Sequence, residues 1–200
     1  MTDLEKVQKN SYALQHIENQ TPEICLTAVK QDGYTVKYVK KQTPEIVLAA
    51  VKKNGFALEH VKNRTPEVCL AAVEQYGSAL KFVTEQTHEI ISTAVRQDGW
   101  AIQYVEDQTP EFCLTAVKQN GNALKFIKEQ TLELCLAAVE QNGFALQYVK
   151  QQTPEICLTA VKENRVAIEF VQEKFRFLFD EEFKGISLNE IKNKAPEMFL

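Results

Sequence analysis

Two hundred residues would suffice for one or two globular domains. A net charge of −4 and a pI near 5.5, with Lys and Glu mixed along the same faces, argue against a general nucleic-acid binder, which carries a basic stripe. The longest apolar runs, such as Ile46–Val51, fall far short of a membrane span.

The chain opens on MTDLEKVQKN, too polar for a secretory signal peptide. From Thr21 onward one stretch recurs. Copies begin at Thr21, Thr43, Thr65, Thr87, Thr109, Thr131 and Thr153, always 22 residues apart and without insertion or deletion. A short fixed period means an array of stacked units, here called repeats 1 to 7, with the Thr as position 1. Asp3–Gln20 is a worn eighth copy and predicted N-terminal cap, because Tyr12–Ile17 matches positions 14 to 19, and Leu4 and Val7 match positions 6 and 9.

Each repeat begins Thr-Pro-Glu or a close variant. The Thr hydroxyl can accept from a free N–H of a first helical turn, Pro suits the first helical position, and Glu complements the positive end of the helix dipole. His88 and Leu132 replace the Pro. Positions 4 to 9 then place apolar residues at helical spacing, with Ala at position 8 in every copy, which predicts close crossing of helices there. Asn/Asp-Gly at positions 12 and 13 predicts a stop, with Gly in the left-handed conformation that ends helices. Positions 14 to 22 restart at helical spacing, so each repeat reads as a helix of about ten residues, a Gly turn and a helix of about eight. Neither is stable alone, since isolated helices under roughly 12 residues are marginal in water. The expected fold is an all-α, right-handed α-solenoid stabilised between neighbours. A leucine-rich-repeat horseshoe shares the period, but the L-x-x-L-x-L-x-x-N strand is missing.

After repeat 7 the register breaks. Arg165 stands in place of the turn Gly, Gln172–Phe183 reads as a longer helix ended by Gly185, and Ser187-Leu188-Asn189-Glu190 reads as a capping box. Ala195–Leu200 echoes a repeat start out of phase. The predicted division is a cap over 1–20, repeats over 21–174, and a C-terminal helical cap or the start of a further region over 175–200.

Candidate chemistry is sparse. Cys25, Cys69, Cys113, Cys135 and Cys157 all sit at position 5, where Val47 and Ile91 serve equally, so they read as small apolar fillers. Equivalent helices about 8–10 Å apart would keep neighbouring cysteines beyond disulfide reach, and free buried thiols fit a reducing, cytoplasmic setting. Position 3 carries a ladder of Glu residues that the dipole role explains in every copy. His16 and His60 occupy the aromatic position 18. His60 and Cys69 are the one conceivable Cys–His pair, and packing is the preferred reading of both. No phosphate-cradling loop, nucleophile elbow or metal-ligand spacing is evident, so no catalytic residue, metal or cofactor is expected. Lys37, Lys40, Lys41, Lys52, Lys53, Lys62 and Arg64 form a local basic patch, read as a solvated face; nucleic acid is not the expected partner.

Position 14 is the most diverse: Tyr34, Phe56, Ser78, Trp100, Asn122, Phe144 and Val166. Position 18 stays large or His, so 18 reads as packing and 14 as a partly exposed edge. Exposed aromatics of mixed identity suit a recognition surface, and Tyr34, Phe56, Trp100 and Phe144 are the candidate partner-binding residues, set on the concave side.

The Thr-Pro-Glu opening, Ala-Val at positions 8 and 9, Asn-Gly at 12 and 13, Ala-Leu at 15 and 16 and a bulky residue before Val at 18 and 19 resemble the repeat family catalogued as domain of unknown function 4116. The resemblance covers Asp3 to Phe170, implies a bacterial or large-virus origin, and brings no activity or catalytic residues. The expected function is a non-enzymatic scaffold binding a protein or peptide through an extended face. The alternative is a recognition or targeting arm of a larger bacterial or viral protein whose catalytic domain lies elsewhere, with delivery into a host cell as an open variant. The acidic, apolar Phe179–Phe183 segment is compatible with an export signal, though an exposed helix face is preferred. Self-association through Phe175, Phe177, Phe179 and Phe183 is a further option, against their sealing the last repeat.

Overall fold

A computed structural model of the chain describes residues 1–180 and residue 190. The segments read from sequence over 181–189 and 191–200, including Gly185, most of the capping box at Ser187 and the echo at Ala195, lie outside the described residues. Among the described residues the regular structure is helical. The α-helices are α1 (Asp3–Lys9), α2 (Pro22–Gln31), α3 (Pro44–Lys53), α4 (Pro66–Gln75), α5 (His88–Gln97), α6 (Pro110–Gln119), α7 (Leu132–Gln141) and α8 (Pro154–Glu163). The chain forms two compact units, Met1–Gln108 and Thr109–Leu200. In the first, α1 to α5 pack each on the next; in the second, α6 packs on α7 and α7 on α8.

The helix starts follow directly from Thr-Pro-Glu. Every position-1 Thr is extended and its Oγ1 accepts from the position-4 amide, at 3.3 to 3.4 Å. Positions 4, 5 and 8 of α2 to α8 are buried, and the position-8 alanines have no exposed surface.

The second half of each repeat differs from expectation. It is a six-residue 3₁₀ helix, such as Gly33–Tyr38 or Gly121–Phe126, and not an α-helix of eight. Two extended residues bound it: position 12 before, which is Asn or Asp except at Tyr76, and the buried aliphatic at position 19 after. Only six residues fit between, and a run that short closes with i→i+3 bonds, as Val39 N–H donates to Val36 O. Each 3₁₀ helix packs on its own α-helix and, within a unit, on that of the next repeat.

Nor does Gly act through a left-handed backbone. The position-12 residue caps both helices in an extended conformation, and Gly then opens the 3₁₀ turn. Its requirement is space. A Cβ at Gly33, Gly55, Gly77, Gly121 or Gly143 would collide with the position-8 Ala carbonyl of the next repeat, at 2.5 Å for Gly143 against Ala160. The close crossing signalled by Ala at position 8 is therefore made by a glycine backbone against an alanine carbonyl. In the worn copy Ser11 holds this place and is buried, while Arg165 in repeat 7 is exposed.

A polar ladder joins the repeats. Position 22 is Gln in the worn copy and in repeats 1, 3, 4, 5 and 6. Gln20 Nε2 donates to Leu14 O in its own copy and to Tyr38 O in the next, while its Oε1 accepts from Lys40 N–H. Gln42 and Gln130 repeat all three bonds. In repeat 2 Arg64 replaces Gln and donates to Val61 O, Phe82 O and Glu59 O.

The longer helix expected over Gln172–Phe183 is instead a separate 3₁₀ segment, Glu173–Phe179, ended by an extended Asp180. Val171 interrupts the chain before it. Phe175 and Leu178 are buried, and the segment packs on α8.

Two stability predictions follow from this stacking. Gly121→Ala is expected to cost about 1–3 kcal/mol by overpacking, whereas Arg165→Ala at the same repeat position should stay within about 0.5 kcal/mol; urea unfolding followed by circular dichroism compares them. Gln152, 8% exposed, accepts from Gln172 N–H at 2.9 Å and donates to Phe170 O at 2.8 Å. Gln152→Ala should cost about 1–3 kcal/mol by stranding those groups, measured in the same way.

Candidate interaction surface

The spacing imposed by Gly and Ala brings position 14 of one repeat against positions 12 and 18 of the next. Tyr12 meets Tyr38 edge-on at 6.1 Å between ring centroids, and Tyr12 Oη donates to Asp32 Oδ2 at 2.8 Å. That bond to a carboxylate holds the Tyr12 phenol above its usual pKa. Tyr34 meets His60 at 6.0 Å, Phe56 meets Phe82 at 6.5 Å, and Phe144 meets Phe170 at 6.1 Å, all edge-on. Ser78 Oγ donates to Asp98 Oδ2 at 2.6 Å in the same register.

Positions 14 and 18 are thus both half-buried, apart from the exposed Tyr12, His16 and Val166. The division into a packing position and an edge position gives way to a single ring ladder. In a 3₁₀ turn residues i and i+3 eclipse, which sets the exposed position 17 beside position 14. Lys37 Nζ lies 4.8 Å from the Tyr38 ring centroid and 5.8 Å from that of Tyr12. Lys81 sits 4.6 Å from Phe82 and 5.2 Å from Phe56, and Lys125 sits 5.6 Å from Phe126 and 6.0 Å from Tyr148.

Of the sequence-predicted residues, Tyr34, Phe56 and Trp100 occupy this rim in the first unit and Phe144 occupies it in the second. Trp100 is half-buried, its N–H bound by Asp98 Oδ1 at 2.9 Å. Sequence reasoning passed over Tyr76. Every other described copy has Asn or Asp at position 12, whose side chain accepts from the position-14 amide, as Asn54 does from Phe56 at 3.0 Å. Tyr76 makes no such cap; it stacks on Phe56 at 5.0 Å and 17° between planes, with 46% of its surface exposed. The usable signal was its break with the other copies. Lys81 and Lys125 were passed over too, although with Lys37 they place Lys at position 17 in every second repeat from the first to the fifth.

The residues of the basic patch are differently engaged. Lys52 and Lys53 end α3, Lys40 Nζ donates to Glu18 O, and the Arg64 guanidinium is spent on carbonyls. Lys40 and Lys41 do line an open groove of about 510 Å³ with Gln20, Pro22, Cys25 and Ile46.

All five cysteines are buried and free. Burial raises each thiol pKa, that of Cys157 to about 12. Beyond filling space, Cys157 Sγ donates to Gln152 Oε1 at 3.4 Å, and Cys69 Sγ to Arg64 O at 3.6 Å. His60 faces Tyr34. No group of three or more His, Cys, Asp or Glu is placed to hold a metal ion among the described residues, and none of their helices is long and apolar enough to cross a membrane.

The raised thiol pKa has a sign. The folded state favours the protonated form, so its contribution is full below the ordinary 9.0 and is lost as pH rises towards about 12 at Cys157. Urea midpoints across that window should fall less for Cys157→Val, which borrows the residue of Val47, than for the parent chain.

A family model described as Domain of unknown function (DUF4116) matches residues 21–65, 43–88, 65–109, 87–132 and 131–176. Each match spans two consecutive repeats. No curated protein and no solved structure matches the chain.

Proposed function

Because the chain belongs to the DUF4116 family, whose description assigns no activity, we propose from its geometry that it is a non-enzymatic repeat scaffold binding a protein or peptide partner along the ring-and-lysine rim. The supporting observation is that position 14, the most diverse of the repeat, changes character from copy to copy above a support in which Ala at position 8 is invariant, Gly at position 13 is broken only by Arg165, and Gln at position 22 is replaced in repeats 1 to 6 only by Arg64. Tyrosine, phenylalanine, serine, tryptophan and asparagine succeed one another there, while the packing beneath repeats. A surface that varies on a scaffold that does not is suited to reading a partner residue by residue. Rings held by edge contacts from the next repeat lose little freedom on binding, which favours affinity.

The reading assigns no catalytic role. The thiols are buried with raised pKa values, and the position-3 glutamates stand in first helical turns.

Affinity capture from the source lysate, with the whole chain as bait, tests the proposal. Tyr34→Ala and Phe144→Ala, each shown by thermal melt to stay folded, should each weaken a specific partner by about 1–2 kcal/mol. A partner held undiminished by both folded variants would sink the rim as the binding surface.

A further inference from the structure

The rim carries one notch with a chemistry of its own. Phe56, Tyr76, Gly77, Ser78, Gln97 and Asp98 line an open depression of about 240 Å³ in the first unit. One wall is the Phe56–Tyr76 stack. Also lining the depression is the half-buried Asp98, whose carboxylate is fixed by two donors, the Trp100 backbone N–H at 2.9 Å and Ser78 Oγ–H at 2.6 Å. A carboxylate has about four lone-pair sites, so two remain for a ligand. Gln97 is committed, its Oε1 to Gly77 N–H and its Nε2 to Gln75 O.

An aromatic face beside an oriented carboxylate selects for positive charge. Among protein cations the planar guanidinium fits both walls at once, stacking on a ring while offering paired N–H donors to a carboxylate, whereas an ammonium is a point charge with no plane to stack. The notch is preorganised for this. Tyr76 is held flat by Phe56 before any ligand arrives, and Asp98 is held by the Trp100 amide and Ser78. Lys81, 5.2 Å from the Phe56 centroid, already uses the same stack as a cation site from within the chain.

We propose that this notch is the anchor for an arginine side chain of a partner polypeptide, stacked on Tyr76 and paired with Asp98. The proposal rests on the rim reading and specifies one position of it. Because the depression opens onto the rim, an arginine seated in it leaves its backbone running along the neighbouring position-14 and position-17 residues.

The test is a titration of the ¹⁵N-labelled full chain with N-acetyl-arginine amide, which has peptide groups in place of free termini. Saturable shifts at the Gly77, Ser78 and Asp98 amides with a millimolar Kd are expected. N-acetyl-citrulline amide, equal in shape and uncharged, should not saturate, and the lysine analogue should bind more weakly. Tyr76→Asn and Asp98→Asn should each weaken the arginine probe about fivefold. Both variants install the residue found at position 12 elsewhere in the array, so both keep a capping side chain and the fold. Citrulline binding as well as arginine, an unchanged affinity in either variant, shifts spread along the rim instead of at the notch, or a requirement for free α-amino and α-carboxylate groups would each overturn the proposal. Tyr34 and Phe144 lie outside the notch, so failure here leaves the rim reading standing on its own experiment.

Discussion

Everything in this molecule depends on how closely one repeat can approach the next. The approach is set where the backbone of a position-13 glycine lies against the carbonyl of a position-8 alanine one repeat on, a contact with no room for a Cβ. That carbonyl also ends its own helix, accepting from the position-12 amide, as Ala50 O does from Asn54 at 2.9 Å. The turn that closes one repeat and the surface that receives the previous one are therefore the same atoms. Helices of ten and six residues fall below the length at which a helix holds alone in water, so this contact is what makes them fold. A family match that spans two repeats at a time is consistent with a smallest meaningful unit that is the pair.

The other inter-repeat features are consequences of that spacing. A Gln side chain at position 22 reaches the carbonyl 18 residues ahead and the amide 20 residues ahead. A ring at position 14 reaches the ring at position 18 of the following repeat, near 6 Å between centroids. Lysine at position 17 lies over rings from two repeats, as Lys37 does over Tyr38 and Tyr12. The rim is in this sense a by-product of stacking, and its side chains can vary because none of them sets the distance.

The helix starts, the alanine core and the cysteine fillers could all be read from the chain, because each rests on contacts within about four residues or on plain apolar spacing. What could not be read depended on partners a full repeat away. Gly beside Asn is an ordinary helix stop in isolation; its steric role exists only once Ala50 or Ala138 is opposite it. Gln is a residue type mostly found exposed, and Gln152 is buried because its partners come from the next loop. The 3₁₀ geometry was hidden because positions 15, 16 and 19 suit an α-helix as well as a tighter one, and only the extended residues at 12 and 19 decide between them. At the rim, the variety of position 14 at Tyr34, Phe56, Trp100 and Phe144 is visible in the chain itself, whereas Tyr76 is hidden by its place in a turn.

Departures from the repeat fall into two kinds. Some keep the role of the position by other means: Arg64 still donates to the carbonyl 18 residues ahead, and Thr35, where other copies have Ala, binds its hydroxyl to Asp32 O at 2.7 Å. Tyr76 does not. It gives up a cap worth about 1 kcal/mol and gains an aromatic stack worth about 0.5–1.5 kcal/mol. The two terms are of the same size, so folding stability does not decide between Tyr and Asn at this site. What does differ is the surface: a short capping amide in one case, and in the other a ring 46% exposed beside a fixed carboxylate. Where the fold is indifferent to a substitution, the surface chemistry it creates is the property left for selection to act on, and at Tyr76 that chemistry is the recognition of a cation.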